Sequence, residues 1–314
     1  MFTEAQNVSI VKTALDTVFF QEFEYEDASP GIAQATTGDL FKVKNTTHNA
    51  FIGQVNKPVG LFTQIGETQA VPAGTPQVTN TYTISVLDYA QKIVLSKDLF
   101  DDNMHDVWAE NVRQFSRAAR LTQDVTAFGL FRNAFSGDTS PVLTADGVSV
   151  CNDSHTLIGG GTVDNSFTGV LNSTNLNTLI VALREQKNQA GVIMGGVPAI
   201  LLVPSALFKT AIELTDSALI ADSANNAINV YRSAYGFKVL SSPHLGTAAG
   251  GTDTRWFLLT KNHSVSRLIR QGLETALTPW QYSDNRSYTY QANYRENYFV
   301  PDYSGIVGST GTAA

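Results

Sequence analysis

The chain has a single cysteine, Cys151, and little charge: only 16% of its 314 residues are Asp, Glu, Lys or Arg. One cysteine excludes an intramolecular disulfide framework and fits a reducing cytoplasm, or indifference to redox. Basic residues are outnumbered, 21 against 28, for a formal charge of -7. The broad basic footprint of a dedicated nucleic-acid binder is therefore missing. Long apolar runs are missing as well. None exceeds five residues, as in Ala199-Ile200-Leu201-Leu202-Val203, which falls far short of the roughly 20 residues of a membrane span. The opening MFTEAQNVSIVK lacks a basic segment followed by an apolar one, so no signal peptide is expected. No internal repeat is visible. GxSxG, HExxH and calcium-loop patterns are absent. Gly159-Gly160-Gly161 and Gly250-Gly251 precede no Lys-Ser/Thr pair, so they read as turn glycines rather than phosphate loops.

Thr, Ser, Asn and Gln replace the missing charge, while hydrophobic residues make up 43%. Such a chain is long enough for one large domain or two. A polar surface with little charge suits a protein that covers much of itself with neighbours. It also suits an extracellular β-rich protein.

Residues 3–20 read as an amphipathic helix, with Val8, Val11, Leu15 and Val18 on one face and Thr3 and Gln6 as a capping box. Residues 40–100 read as strands. LFKVK, AFIGQV and TYTISV alternate, with Tyr82, Ile84 and Val86 on one face. Between the last two lies a long excursion carrying three prolines and three glycines. Its flanking strands predict an extended hairpin projecting from the body. Residues 104–135 carry the strongest helical pattern, capped by Asp101, Asp102 and Asn103. Trp108, Val112, Phe115 and Ala119 form one stripe of this helix; Leu121, Val125 and Phe128 form a second. A helix of this length predicts a strut along which other elements pack. A further helix is expected over 174–190, with Leu176, Leu179, Ile180 and Leu183 inward and Gly191 as its stop. GGVPAILLVP reads as a buried strand, SALFKTAIEL as a short helix, and FKVLSS, RWFLLT, VSRLIR and SYTYQANYRENYFV as strands. GSTGTAA is expected to be a loose tail. The fold class is α+β.

Candidate chemistry is sparse. Cys151, Asp153 and His155 lie within five residues, the ingredients of a nucleophile, an acid and a base. The bounding glycines make this segment a loop, and no second cysteine exists to complete a zinc set. His48, His105, His244 and His263 are single and far apart in sequence. A buried cysteine and a backbone-bonded loop histidine are the expected outcome. Asp101/Asp102 reads as helix capping, and Glu24/Glu26 precedes a turn. No catalytic residue, metal ligand or cofactor is assigned. Arg113, Arg117 and Arg120 stripe the long helix; they face either solvent or the acidic groups or phosphates of a neighbour. Lys57 and Glu67 bracket the start of the hairpin excursion, either solvated or fixing register against a second subunit. Phe62 and Ile65, on the same excursion, are expected to bury against an adjacent copy.

The order of these elements, together with the Asp146-Gly147 turn leading into Ser154-His155, ILLVPSAL (Ile200 to Leu207) and YGFKVLSSPHL (Tyr235 to Leu245), resembles the major capsid proteins of tailed bacteriophages. Their fold is the Hong Kong ninety-seven-like fold, and the chain is more narrowly similar to the Mu-like head subunits. The resemblance implies an N-terminal arm (1–45), an extended hairpin or E-loop (46–98) and a peripheral domain with the spine helix (99–195 and 264–304). It further implies an axial domain (196–263) and a C-terminal tail (305–314). In that family, hairpins overlap neighbouring subunits and axial domains meet at the five-fold and six-fold axes. The implied partners are the chain itself as hexamers and pentamers, scaffold, portal and decoration proteins, and packaged DNA held non-specifically, with no membrane. The implied location is the virion, after assembly in the host cytoplasm. Met1 runs almost directly into the arm helix, so no large fused scaffold is expected, and Lys57 alone predicts no crosslink.

The leading expectation is a non-enzymatic icosahedral shell enclosing double-stranded DNA. An encapsulin-like nanocompartment shell is the alternative. A cysteine hydrolase using Cys151 and His155, or a secreted β-rich binding protein, fits less well.

Overall fold

The computed structural model describes residues 4–24, 37–74, 77–98, 102, 105–217, 228–283 and 285–312. Helix α1 (Glu4–Glu24) and a single turn α2 (Thr37–Leu40) lead into strand β1 (Lys42–Asn45). Strands β2 (Ala50–Lys57) and β3 (Gln77–Ser85) form a hairpin, followed by β4 (Leu87–Ser96) and the long helix α3 (His105–Arg132). Short strands β5 (His155–Thr156), β6 (Thr162–Val163) and β7 (Ser166–Phe167) precede helix α4 (Ser173–Glu185). Then come β8 (Pro198–Pro204), α5 (Phe208–Thr215), α6 (Val230–Ala234), β9 (Lys238–Ser242) and β10 (Trp256–Thr260). The 13-residue strands β11 (Ser266–Thr278) and β12 (Ser287–Phe299) follow, and then β13 (Ile306–Ser309). The architecture is α+β. The capping residues Thr3, Asp101 and Asn103 lie outside the described residues.

Two sheets carry the fold, one ordered β7-β13-β10-β8-β9 and the other β1-β11-β12-β4. The first is covered on both faces, which is why β8 and β10 read as unbroken apolar runs rather than alternating ones. Leu201, Val203, Trp256 and Leu258 pack against Leu176, Leu179, Ile180 and Leu183 of α4. The intervening Leu202, Phe257 and Leu259 pack on the other face, with Phe128, Phe131 and Phe135.

Helix α3 ties the two sheets together. Its 28 residues span about 42 Å at about 1.5 Å per residue. Near its start, Trp108, Val112 and Phe115 join Leu95 and Tyr290 of the four-stranded sheet and Leu15 and Phe19 of α1. Near its end, Phe128 and Phe131 sit on the five-stranded sheet. Buried Val112, Ser116, Gln123, Ala127 and Phe131 hold one face at helical spacing. Leu121 and Val125 fall two residues away from that series, so they face outward and are exposed. Of the expected second stripe, only Phe128 is buried.

Two further expectations change. Helix α4 ends at Glu185 rather than near 190, because Gln186 leaves the helical region and buries its amide. Its Nε2 faces the carbonyls of Tyr303 (3.3 Å) and Ile306 (3.4 Å), and its Oε1 accepts from Gly305 N–H at 2.7 Å. Gly191, at φ +80°, belongs instead to a turn closed by its N–H on the Asn188 carbonyl. The tail is not loose over its described part. Ile306, Val307 and Ser309 are buried and β13 pairs with β10. Gly308 packs where an added Cβ would lie 2.7 Å from Cys151 Sγ.

Candidate assembly surfaces

The Cys-His segment is built as an anchor. The connection from α3 to α4 has little regular structure, so scattered turn and bridge bonds and buried side chains together satisfy its backbone groups. Asn165 is the buried centre of the side-chain part. Its Nδ2 donates to the carbonyls of Val150 (2.8 Å) and Ile306 (3.2 Å), and its Oδ1 accepts from Asn152 N–H (2.8 Å). That fixes Oδ1 as the atom 3.2 Å from His155 Nε2. On the other side of the ring, His155 Nδ1 lies 2.7 Å from Asp146 Oδ2. The fully buried ring also stacks on Tyr303 at 4.5 Å. Burial alone would raise the Asp146 carboxyl, but hydrogen bonds from His155 and Thr144 outweigh it and hold the group below its ordinary value. Asp153, the acid of the sequence constellation, accepts from Ser154 Oγ at 3.1 Å rather than from His155 or Cys151. Cys151 is fully buried, with the rings of Phe135 and Phe257 in the same cluster, and burial pushes its thiol strongly upward. A thiol held protonated, and an imidazole engaged at both nitrogens by other residues, do not form a nucleophile and base. Among the described residues, no group of three or more His, Cys, Asp or Glu side chains is placed to hold a metal ion. Likewise among them, no helix is long and apolar enough to cross a membrane.

The hairpin β2–β3 pairs from Ala50↔Ser85 to Lys57↔Gln77 in a sheet of its own. Phe51, Tyr82 and Ile84 root it on Val86, Leu268 and Phe299 of the body. Strand β4, read together with the hairpin in sequence, instead pairs along its length with β12. Beyond Gly53, which pairs with Tyr82 of the root, the last four residues of β2 carry the ribbon outward by about 13 Å at about 3.3 Å per residue. Residues 58–74 then run exposed, without helix or strand. Phe62 is as open as a side chain gets (101%), Leu61 and Val71 are nearly so, and Val59 and Ile65 are about half exposed. Lys57 is half-buried and Glu67 exposed, and neither forms an ion pair with a described residue. Clustered apolar side chains in water on a thin ribbon are a candidate contact surface. At the foot of the hairpin lies a groove of about 1040 Å³, walled by Phe51, Ile52 and Ala50 on one side and Ile269 on the other.

The arginine stripe is partly used within the chain. Arg117 Nε donates to Glu22 Oε1 of α1 at 2.6 Å, and Arg113 pairs with Glu110 at 3.4 Å along the helix. Arg120 lies on the same helix. The first pair, with Ser116 Oγ donating to the Phe19 carbonyl at 2.7 Å, fastens α1 to α3. The stripe and the hairpin thus lie on separate elements. The sequence reading missed Asp146 and Asn165, since a turn aspartate and a loop asparagine carry no motif. It named Phe62 and Ile65 but not Val59, Leu61 or Val71 beside them.

A two-sheet body, a strut helix bridging both sheets and a projecting ribbon with an uncovered apolar loop define the subunit of a protein shell. A family model described as phage capsid protein matches residues 79–309, and the chain belongs to that family. Its fold is a capsid fold. The capsid of a native GTA particle matches at TM-score 0.54 and 16% identity, over 92% of this chain and 95% of that one. A virus-like particle from Pyrococcus furiosus matches at 0.54 and 8%, over 95% and 98%. Microbacterium phage Oxtober96 matches at 0.53 and 12%, over 91% and 95%. No curated protein matches the chain.

Proposed function

We propose that the chain is the major head subunit of a tailed phage, assembling with itself as hexamers and pentamers into an icosahedral shell around double-stranded DNA. The observation that carries this reading is the hairpin. Its loop presents five apolar side chains to water in the single chain, and a second copy is the partner that a capsid subunit always has. The domain division follows the same reading: arm 1–45, hairpin 46–98, peripheral 99–195 and 264–304, axial 196–263, tail 305–314. Two strands stitch these units together, β4 onto β12 and β13 into the sheet of β8 and β10. Lys57, Glu67, Arg113 and Arg120 are contact residues between subunits in this reading, and Arg117 is shared with α1. A subunit of charge -7 faces packed DNA without gripping it over its whole surface. The role is structural, in the virion, after assembly in the host cytoplasm.

Electron microscopy of the overexpressed protein tests the reading. Uniform polyhedral shells are expected. A small soluble species that persists across salt concentrations overturns it, and particles loaded with protein rather than nucleic acid point to a nanocompartment instead.

A further inference from the structure

A second cleft, of about 350 Å³, opens where α2 and β1 meet the ends of β8, β9 and β10. Its floor is apolar, from Leu40, Phe41 and Ile200, and its polar lining is Lys42, Lys238, Lys261 and His263. Among the residues whose side chains are described, no carboxylate lines it. The four polar residues come from three separate parts of the chain, so their convergence is a product of the fold. In a chain with more acids than bases, three lysines on one concavity are a local reversal of sign. Lys42 Nζ donates to the His263 carbonyl at 2.6 Å. That acceptor is neutral, so the ammonium keeps its charge while its position is fixed. Lys261 makes no ion pair with a described residue. His263 is buried, and its Nδ1 has no hydrogen-bond partner.

The charges are close enough to feel one another. Burial first, and then the Lys42 ammonium, drive the His263 imidazole down to about 4. Burial and the same ammonium lower Lys44 on the neighbouring stretch of β1. A cleft lined by lysine ammonium groups, with a neutral imidazole in its wall, has the donors an oxyanion needs. Ammonium groups on flexible stems bind phosphate as point charges, and a phosphate oxygen would give the orphaned ring nitrogen an acceptor once the ring turns toward it.

We propose that the cleft of Lys42, Lys238, Lys261 and His263 is a phosphate-binding site, filled by a nucleic-acid backbone phosphate or by free phosphate. This goes beyond the shell reading. The cleft forms within one chain, so a protein that makes no shell still tests it.

The test uses the full chain, Lys42→Gln/Lys261→Gln and a control, Lys92→Gln/Lys209→Gln, which removes two exposed lysines elsewhere. Lys261→Glu alone is a third variant that leaves the Lys42 hydrogen bond in place. Inorganic phosphate is titrated by calorimetry, and a short DNA duplex by fluorescence anisotropy over a range of salt. The cleft variants are expected to bind phosphate at least about tenfold more weakly. For the duplex, the slope of log K against log salt should fall by about 2, close to one for each lysine removed, with the control near wild type. Loss of phosphate binding with the duplex unaffected assigns the site to free phosphate and upholds it. Equal losses in the control, wild-type behaviour in the cleft variants, or phosphate binding kept while association between copies is lost would each overturn it. The last outcome would place a carboxylate of a second copy in the cleft.

Discussion

One buried imidazole should make acid stability fall measurably between pH 7 and pH 5. His263 is 4% exposed and its Nδ1 has no partner. Burial, and then Lys42, lower it from an ordinary 6.5 to about 4. As pH falls below 6.5 the unfolded chain takes up this proton, while the folded chain resists until about 4. The unfolded state therefore binds more protons in this window, and stability, complete above it, drains away on acidification. At about 1.4 kcal/mol per unit, the group costs about 2 kcal/mol at pH 5 and about 3 at pH 4. Asp16 and Asp146 do not interfere. In both, burial would raise the carboxyl but hydrogen bonds outweigh it and lower it, so their stabilisation is lost only below about pH 4. His244, lowered by burial and Arg132, acts in the same direction as His263, and Asp302, raised by burial, acts oppositely. Both are common to wild type and variant, so a difference measurement removes them. Urea unfolding followed by tryptophan fluorescence, with Trp256 fully buried as reporter, should be run on wild type and His263→Gln at both pH values. Wild type should lose about 2 kcal/mol more than the variant between pH 7 and pH 5. Equal losses would refute the assignment of a neutral, unpartnered imidazole at this position.

Truncating Phe62 and Ile65 together to alanine should leave the monomer fold intact, because neither packs on the body, and weaken association by about 1–3 kcal/mol per side chain, more for fully exposed Phe62 than for half-exposed Ile65. Normal shells on electron micrographs would sink the role given to the loop. Cys151→Ala should fold and assemble, with a packing cost of about 1 kcal/mol. The native thiol should resist a thiol reagent until the chain unfolds, and rapid native labelling would contradict its burial. Gly308→Ala brings a methyl within 2.7 Å of Cys151 Sγ, 2.9 Å of Phe257 Cδ1 and 3.0 Å of Phe135 Cζ. It should destabilise by about 1–3 kcal/mol, and an unchanged melting temperature would show that the site relaxes freely.

Periodicity revealed what periodicity controls. The strut helix, the α4 face of Leu176, Leu179, Ile180 and Leu183, and the buried run at β8 are one-dimensional patterns, and each is found where its spacing put it. Features set by partners distant in sequence were not legible. Helix α4 stops early because Gln186 reaches the carbonyls of Tyr303 and Ile306, more than a hundred residues away. Gly308 and Ser309 look like tail composition, yet glycine is what fits against Cys151 and Phe257 beside β10. Leu121 and Val125 keep a helical spacing of their own, and only the position of the two sheets decides that the other stripe is inward. On the assembly surfaces, exposed Phe62 was visible as an apolar residue in a Pro/Gly-rich excursion. The lysine cleft was not, because Lys42, Lys238 and Lys261 are isolated charges until β1, β9 and the end of β10 meet.

The connection between α3 and α4 explains why a shell subunit contains residues that look catalytic. A stretch from residue 133 to residue 172 with only two-residue strands pairs its backbone through scattered turn and bridge bonds and through side chains, and burying such groups unpaired would cost several kcal/mol. Asn, Asp and His serve here for the same property that suits them to active sites, namely directional hydrogen bonds from short or rigid side chains. In an active site such groups retain an unsatisfied valence for substrate. Here Asn165 spends both amide hydrogens and its oxygen on the chain itself, and His155 is engaged at both nitrogens. Full satisfaction makes the network rigid and leaves it nothing to offer a reactant. The buried polar centre is thus evidence about how the body is held stiff between its two sheets, while the uncovered side chains of the hairpin loop are where the molecule still lacks a partner.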